Sequence, residues 1–484
     1  MALTRRSFVK GAAAAIPFSV WFEKYAMAQA TRVRYDATSV QGKAMLKIYA
    51  GAVKKMRTPP AFVEGNPRSW TFQWYTHQVK GSTTKAAELA RIYPTPSAWK
   101  NLAIEMWNTC QSHLGQPENY FLPWHRMYIL YFESIIRTVS GDASFTLPYW
   151  NYSVPKTNPA HGVVPPEFRM PNDATFAPLY VNKRNAGANN GSPIDQGQPD
   201  DPLSLVSLKQ CSYGPSGSQQ GFCATIDFGL HGNVHVMTGN GQNMGSVPWA
   251  AFDPIFYTHH CNIDRLWASW NAAGRKNPND ATFLNKTFVF ADGNGNRVVA
   301  TIKNFLDIAP LGYRYDHLEP VPACPTLIPA AAASRKLVTR ATPIALGAGP
   351  VKAMMTAPPS PTATVPLGER IAKLAAGRVL LLVLNNIQTN VQPGVIYHLW
   401  LQLPASAGNA ETDHYIGAIN FFGREHAHEG SNADKFYSFD ITDLAKKLKA
   451  KGEIADKAEL TIAPAGTPAA DAKPVIGDVS LVEQ

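Results

Sequence analysis

The placement of histidine constrains this chain more than any other feature. Of its 13 histidines, eight fall between His77 and His260. His231 and His235 stand four apart in Leu230-His231-Gly232-Asn233-Val234-His235. On a helix that spacing puts both imidazoles on one face, one turn apart, where they can share a metal ion. A zinc protease needs Glu directly after the first histidine as general base, and Gly232 stands there instead. The adjacent pair opens a second segment, His259-His260-Cys261-Asn262-Ile263-Asp264-Arg265-Leu266-Trp267. Neighbouring helical residues point about 100° apart, so only one of the pair is expected to face the same ion as His231 and His235. Upstream, His113 and His125 flank Asn119-Tyr120-Phe121-Leu122-Pro123-Trp124, and His77 ends Trp74-Tyr75-Thr76-His77. Taken singly, each histidine reads as an ordinary core or surface residue. Six together, with no thiolate or carboxylate at matching positions, suit copper better than magnesium or calcium. A fold that serves them brings several helices to one point.

Helical spacing recurs where such a fold needs it. Trp99, Leu102, Ala103, Met106 and Trp107 form one stripe; Ile129, Phe132, Ile136 and Val139 form another. Asp253-Pro254 offers an N-cap and first-turn proline for a helix running to about Ala273, which Gly274 ends. Between helices, a loop-rich stretch over roughly 152–222 has to pack or serve a site. Residues 325–368 are rich in Ala, Pro and Thr and read as a linker. Beyond it the period changes: Arg378–Asn385, Val395–Leu403, His414–Phe422, Phe436–Ile441, Ala458–Ala463 and Val475–Val482 read as short strands. The expected architecture is mainly α. A leader (1–30) precedes a helical-bundle domain holding the metals (31–324). The linker (325–368) and a small C-terminal antiparallel β-sandwich (369–484) follow.

At 484 residues and 45% hydrophobic content, the chain buries a sizeable core and is neither disordered nor fibrous. Its formal charge of +10 raises a nucleic-acid or membrane partner. The basic residues are scattered, however. The densest run, Lys446-Lys447-Leu448-Lys449-Ala450-Lys451, reads as a solvated helix face, so no nucleic-acid partner is expected. Thr4-Arg5-Arg6-Ser7-Phe8-Val9-Lys10 is a twin-arginine signal, with an apolar stretch from Gly11 to Phe22. Ala26-Met27-Ala28 and Ala28-Gln29-Ala30 offer cleavage sites. No later segment reaches the ~20 apolar residues of a membrane span. The expectation is an exported protein, periplasmic or secreted. Five cysteines contain no C-x-x-C. Cys211 and Cys223 bracket a Gly/Ser-rich loop and are expected to form a disulfide, while Cys261 reads as a small buried residue.

Longer motifs surround these histidines. Phe121-Leu122-Pro123-Trp124-His125-Arg126, followed by Tyr128 and Phe132-Glu133, resembles the first copper motif of the tyrosinase/polyphenol oxidase family. Asp253-Pro254-Ile255-Phe256-Tyr257-Thr258-His259-His260-Cys261-Asn262-Ile263-Asp264-Arg265-Leu266-Trp267 resembles its second. Leu311-Gly312-Tyr313-Arg314-Tyr315-Asp316 resembles the tyrosine motif that closes the family's central domain. The resemblance covers about residues 40–320. From 370 the chain is similar, more loosely, to the β-sandwich that follows this domain in plant-type and some bacterial members. It implies His77, His113 and His125 as ligands of one copper, and His231, His235 and His260 as ligands of the other. Two coppers deliver two electrons together to dioxygen, and three neutral imidazoles on each leave an open position. The implied activity is ortho-hydroxylation of monophenols and oxidation of o-diphenols to o-quinones, with small phenols and dioxygen as partners. A catechol or o-aminophenol oxidase lacking hydroxylation is the alternative within this chemistry; a hemocyanin-like oxygen carrier is the alternative from another class. A homo-oligomer is compatible with either.

Departures from the family pattern set further expectations. The interval from His113 to His125 is long for the family. Some members cross-link a cysteine to a copper histidine by a thioether; Cys110 stands near His113, but at x-x spacing. Gly232 takes the position where hydroxylating members often carry Asn; Asn233 is one place late, and the nearest upstream carboxylate is Asp227. Val247, thirteen residues before His260, matches the position of the bulky gate of catechol oxidases, and a small residue there leaves the pocket open to monophenols. Asp264, one turn beyond His260, is a candidate acceptor for an imidazole N–H, the alternative being a helix-surface ion pair with a neighbouring arginine. Finally, Phe421 to His428 combines two aromatics with His426-Ala427-His428, suited to plug an apolar pocket or pass copper inward, which would make the sandwich a lid.

Overall fold

The computed structural model describes residues 31–111, 120–195, 198, 202–324, 336–341, 343–356, 366–375, 377–404, 412–425, 436–454 and 457–484. The twin-arginine segment, His113, His426 and His428 lie outside the described residues. The helices of the first half include α1 (Val40–Met56), α2 (Trp70–His77), α3 (Ala98–Met106), α4 (Phe121–Ser140), α5 (Gly232–Thr238) and α6 (Ile255–Ala272). α4 and α6 are buried on nearly every face and pack against each other, with α1 against α4. Helices buried nearly all round occupy the centre of a domain, and these two form its spine. Their ends follow local chemistry. The Asp253 carboxylate accepts from the Ile255 backbone N–H at the start of α6, and Arg184 holds the same carboxylate at 2.7 Å. Gly274, with φ of 81°, stops the chain just past α6. Ser69 caps α2 by accepting from the Phe72 N–H.

Short strands fasten the ends of this domain. β1 (Arg32–Arg34) meets β4 (Tyr313–Tyr315) in parallel, and β2 (Thr287–Ala291) pairs with β3 (Arg297–Thr301) as a hairpin. The loop-rich stretch around 152–222 packs on the core through short turns. His161 reaches the Val154 carbonyl with one ring nitrogen and the Asp195 carboxylate, 3.0 Å away, with the other.

The second half is a sandwich of two antiparallel sheets. One has the order β10 (Tyr415–Ile419), β9 (Tyr397–Leu401), β12 (Ala458–Pro464), β7 (Val351–Met355). The other has the order β11 (Phe436–Asp440), β8 (Leu380–Gln388), β13 (Val475–Glu483), β5 (Lys336–Ala341), with β6 (Ile344–Ala345) also on β13. The lysine-rich run belongs to α7 (Thr442–Ala450), which buries Ala445 and Leu448. The six strands read from the sequence are present within a few residues of their expected ends. The linker expectation is corrected: β5, β6 and β7 lie inside 325–368. In β7, Ala353 and Met355 face the core while Lys352 and Met354 are exposed, a period-two pattern that the Ala/Pro/Thr-rich surroundings obscured.

The sandwich docks directly on the helical domain. Gln220 reaches Ser438 and the Phe436 carbonyl, Gln484 brackets Ser216 and Ser218, and His398 meets Gln198. The disulfide expectation is also corrected: Cys211 bonds Cys324, and Cys223 is buried in the core. The loop does return on itself, with Phe222 N–H donating to the Ser212 carbonyl, but it turns the Cys223 side chain inward and leaves Cys211 facing Cys324. Cys261, as expected, is a buried small side chain, its thiol on the Leu147 carbonyl.

A cross-link between residues 113 apart restricts the unfolded chain strongly. Cys324→Ser should lower the unfolding free energy by about 2–5 kcal/mol in urea titration. Cys211→Ser should cost the same, and the double variant no more than either. Additive losses would show that the two cysteines act separately.

Candidate metal centre

Two groups of buried donors meet at the centre of the helical domain. His77 ends α2, and His125 lies in the first turns of α4. Their rings are 5.9 Å apart, and the Cys110 thiol sits 3.6 Å from His125 Nε2. The donor atoms of His77, Cys110 and His125 all lie within 4.8 Å of one another. Cys110 therefore stands at the first cluster itself, and His113, its expected neighbour there, is outside the described residues. His125 Nδ1 donates to the Phe121 carbonyl at 2.9 Å, which fixes the tautomer and turns Nε2 toward the cluster.

His231 and His235 form the second group with both members of the later pair. His231 closes a π-helical turn, Ile226–His231, that runs into α5. Its Nδ1 donates to the Asp227 carbonyl at 3.0 Å and lies 3.1 Å from the Asp227 carboxylate. His235 Nδ1 donates to the Met244 carbonyl at 2.7 Å. Contrary to the expectation that only one of the pair faces these two, the donor atoms of His231, His235, His259 and His260 lie within 4.8 Å of one another. The His259 ring is parallel to that of His231 at 5.3 Å, and His260 stacks on His125 at 4.1 Å, so the two groups abut. Phe256 packs edge-on to His77 at 4.9 Å and against His260 at 4.2 Å; Phe121 lies 4.7 Å from both His125 and His231.

Burial pushes His77 down to about 3 and holds His125, His235, His259 and His260 well below the ordinary imidazole range. The Val247 carbonyl facing His77 offsets part of that effect, and neighbouring imidazoles add to it. Neutral imidazoles are metal ligands at any working pH. His235 Nε2 and both ring nitrogens of His259 and His260 are buried without a hydrogen-bond partner among the described residues. Buried polar atoms left unsatisfied are costly, and here they converge on one place. A pair of copper ions fits this donor set.

Asp264 does a different job from the one expected. Its carboxylate accepts from Arg126 Nε, Arg34, Tyr313 and Tyr315, all buried, so none of its oxygens is left for an imidazole. The ion pair is interior rather than on a helix surface. Burial raises its carboxyl, but Arg126 and Arg34 outweigh that and hold it below the usual carboxylate range. Asn233 is equally committed: its amide donates to the Pro202 carbonyl at 3.0 Å and its oxygen accepts from Asn420 at 2.9 Å. Val247 is buried in the core beside His77.

The roof of the second group comes from the sandwich. Phe422 stacks on His235 at 4.2 Å and meets His231 edge-on at 5.8 Å. Its neighbour Phe421 turns into the sandwich core instead. Asn420 donates to the Phe228 carbonyl at 2.6 Å as well as to Asn233. It lies over Gly232 so closely that a Cβ there would stand 2.6 Å from its Oδ1 and 2.9 Å from its Cγ.

A family model for the common central domain of tyrosinase matches residues 67–196 and 205–273. One for the polyphenol oxidase middle domain matches 277–324, and one for a domain of unknown function matches 334–484. Tyrosinase HcTyr1 of Hahella sp. (strain CCB-MM4) is 31% identical over 476 residues, spanning 90% of this chain and 96% of its own. The chain belongs to the tyrosinase/polyphenol oxidase family. Chloroplastic catechol oxidase B of Solanum tuberosum is 34% identical over 228 residues, which is 40% of this chain and 37% of the potato protein. Latent apple tyrosinase shares the fold, with a TM-score of 0.60 at 22% identity over 94% of this chain and 97% of its own. So does a functional unit of octopus hemocyanin, with a TM-score of 0.51 at 16% identity over 93% of this chain and 99% of its own.

Members of this family are copper oxidoreductases with a binuclear centre, and so is this chain an enzyme of that class. Sequence reasoning placed Cys110 at the first cluster but beside His113, where the structure puts its thiol on His125. It missed the place of His259, which left a signal as a donor type next to an expected ligand, and Asn420, which left none. Asp264→Asn should take from Arg126 its carboxylate and leave Arg34 with Glu133 alone, at a cost of about 3–5 kcal/mol of stability in urea titration. Were Asp264 an imidazole partner instead, metal affinity would fall while stability changed little.

Proposed function

We propose that this chain uses dioxygen to oxidise o-diphenols to o-quinones and to hydroxylate monophenols at the ortho position. The observation that carries the reading is the abutment of the two imidazole clusters, His125 on His260 at 4.1 Å. His77, His113 and His125 would hold one copper, and His231, His235 and His260 the other. A bound copper pair supplies two electrons to dioxygen at once and a Lewis acid for the phenolic oxygen. Two diphenols give up four electrons and four protons as dioxygen becomes two waters. The Phe121, Asp227 and Met244 carbonyls orient His125, His231 and His235, while Phe256 and Phe121 keep the space between the clusters apolar. Val247 leaves more room than a bulky gate would. Export by the twin-arginine route completes the proposal; the Cys211–Cys324 disulfide suits an oxidising compartment. Among the described residues, no helix is long and apolar enough to cross a membrane.

A specific observation favours a second reading, diphenol oxidation alone. Gly232 offers no amide, and that of Asn233 is already bound on both sides. Steady-state assay of the mature, copper-loaded chain on tyrosine and on a matched diphenol separates the two. Turnover of both is expected; turnover of the diphenol alone establishes the second reading, and turnover of neither overturns both.

The roof suggests control of access by the sandwich. A side chain at 232 would displace Asn420, and with it Phe422. Gly232→Ala should therefore raise turnover per bound copper on bulky diphenols several-fold more than on catechol. Gly232→Asn should add a higher ratio of monophenol to diphenol turnover, because it also places an amide beside His231. Equal effects on bulky and small substrates would remove the lid.

A further inference from the structure

A cavity of about 220 Å³ lies in the seam between the helical domain and the sandwich. Met237 at the end of α5 lines it, as do Asn185, Ile194 and Gln198 of the loop-rich stretch and Val395 and Ile396 before β9. Ile396 is buried in the core of the helical domain although it comes from the sandwich, so the two domains interlock around this space. No histidine is among the residues that line it, which sets it apart from the metal centre. An apolar cavity of about 150 Å³ holds benzene, so this one has room for a single substituted ring.

The walls specify what kind of ring. No charged side chain is among the described residues that line the cavity, so an ionic guest would find no counter-charge. Ile194, Val395 and Ile396 offer apolar contact, and the Met237 thioether is a favourable neighbour for an aromatic ring. The polar groups are two carboxamides. Asn185 Nδ2 donates to the Val236 and Met237 carbonyls at 3.1 and 3.0 Å, so the group it has left for a guest is its oxygen, an acceptor. The Gln198 oxygen accepts from His398 Nε2. A guest matched to Asn185 brings a hydroxyl hydrogen. A phenol has one; a quinone carries only acceptors.

We propose that this cavity is a second, non-catalytic site for a neutral single-ring phenol, whose hydroxyl donates to Asn185 Oδ1. The choice of a phenol rests in part on the reading of the chain as a phenol oxidase. A bound phenol touches both domains, so it stabilises the docked sandwich in proportion to its own concentration and affinity. Phenol in excess thereby keeps Phe422 over His235, while the quinone has no such effect.

The full-length protein as purified, kept free of dioxygen so that nothing is turned over, tests this with 4-fluorophenol as the probe. Methionine methyl groups labelled with carbon-13 report the place of binding, and Met237→Leu identifies the Met237 resonance. That resonance should shift saturably with 4-fluorophenol. The same ring without the hydroxyl hydrogen, 4-fluoroanisole, should bind about 3–10-fold more weakly. Gly187→Leu and Val395→Trp fill the cavity from opposite walls, and each should abolish the shift. A Cβ at Gly187 meets only Ser192 Cβ, at 3.8 Å, so that side chain starts without a collision. The Ser218 and Gln220 N–H groups, which donate across the seam to Gln484 and Ser438, should exchange hydrogen several-fold more slowly at saturating 4-fluorophenol. A Met237 resonance that ignores the phenol, or responds alike in both filled variants, overturns the site. Equal affinity for the anisole overturns the assignment to phenols, and unchanged exchange overturns the hold on the sandwich. None of these readouts needs turnover, so their failure is distinct from failure of the phenol oxidase reading in the steady-state assay.

Discussion

The buried pairing of Asp264 with Arg126 and Arg34 is the constraint on which the metal centre depends. Arg126 follows His125 on α4, and Asp264 lies one turn beyond His260 on α6. Their ion pair therefore sets the register of the two helices whose histidines stack. Arg34 ties β1 to the same carboxylate and to Glu133 further along α4, while Tyr313 and Tyr315 of β4 complete the shell. The start and end of the domain thus close on one carboxylate. Desolvating these charges costs several kcal/mol per ion, and only near-complete hydrogen bonding offsets it. Arg126 also lies 3.6 Å over the Trp267 ring, and Arg34 3.8 Å over that of Tyr313. Charge of this kind adds little net stability but tolerates few alternative alignments.

The imidazoles impose the complementary demand. To bind metal they must be neutral and aimed, and burial makes them neutral. Aim comes from nearby backbone carbonyls. In the π-helical turn before His231, the Asp227 carbonyl accepts from the Gly232 N–H and from the ring as well. Orientation is thereby built from the main chain, close to each histidine in sequence. The positions of the two spine helices are set from far away.

Much of this was legible in the sequence, and the reasons for the rest are physical. Helical and strand periods placed α4, α6 and the six later strands, because each buries a regular face. The motif histidines came together as their spacing implied, His113 aside as undescribed. The linker was misread since composition masked the alternation of β7. The Cys211 partner depended on which way a loop turned its ends, which spacing does not encode. His259 escaped because the 100° step between helical neighbours fixes only the direction in which a side chain leaves the helix. An imidazole is long enough to bend back, and the cluster approaches α6 from a broad arc. Asp264 was taken for a local partner of His260, yet Arg34, 230 residues away, and Arg126 claimed it.

Gly232 shows how a local departure from the family pattern acquires meaning only at long range. Read alone, it is a missing amide next to a copper ligand. In the fold it is a notch, and the carboxamide of Asn420 occupies the space that a side chain there would have filled. From that notch Asn420 bonds the Phe228 carbonyl in the π-helical turn and Asn233 in α5, while Tyr437 donates to the same Phe228 carbonyl. The bonds that seat the sandwich therefore fall on the segment that aims His231. Removing the sandwich would do more than open a path to the metals, since it would also release two bonds on a carbonyl of that segment. Access to the site and orientation of its second cluster are in this sense one structural variable, written jointly by a glycine and an asparagine 188 positions apart in the chain.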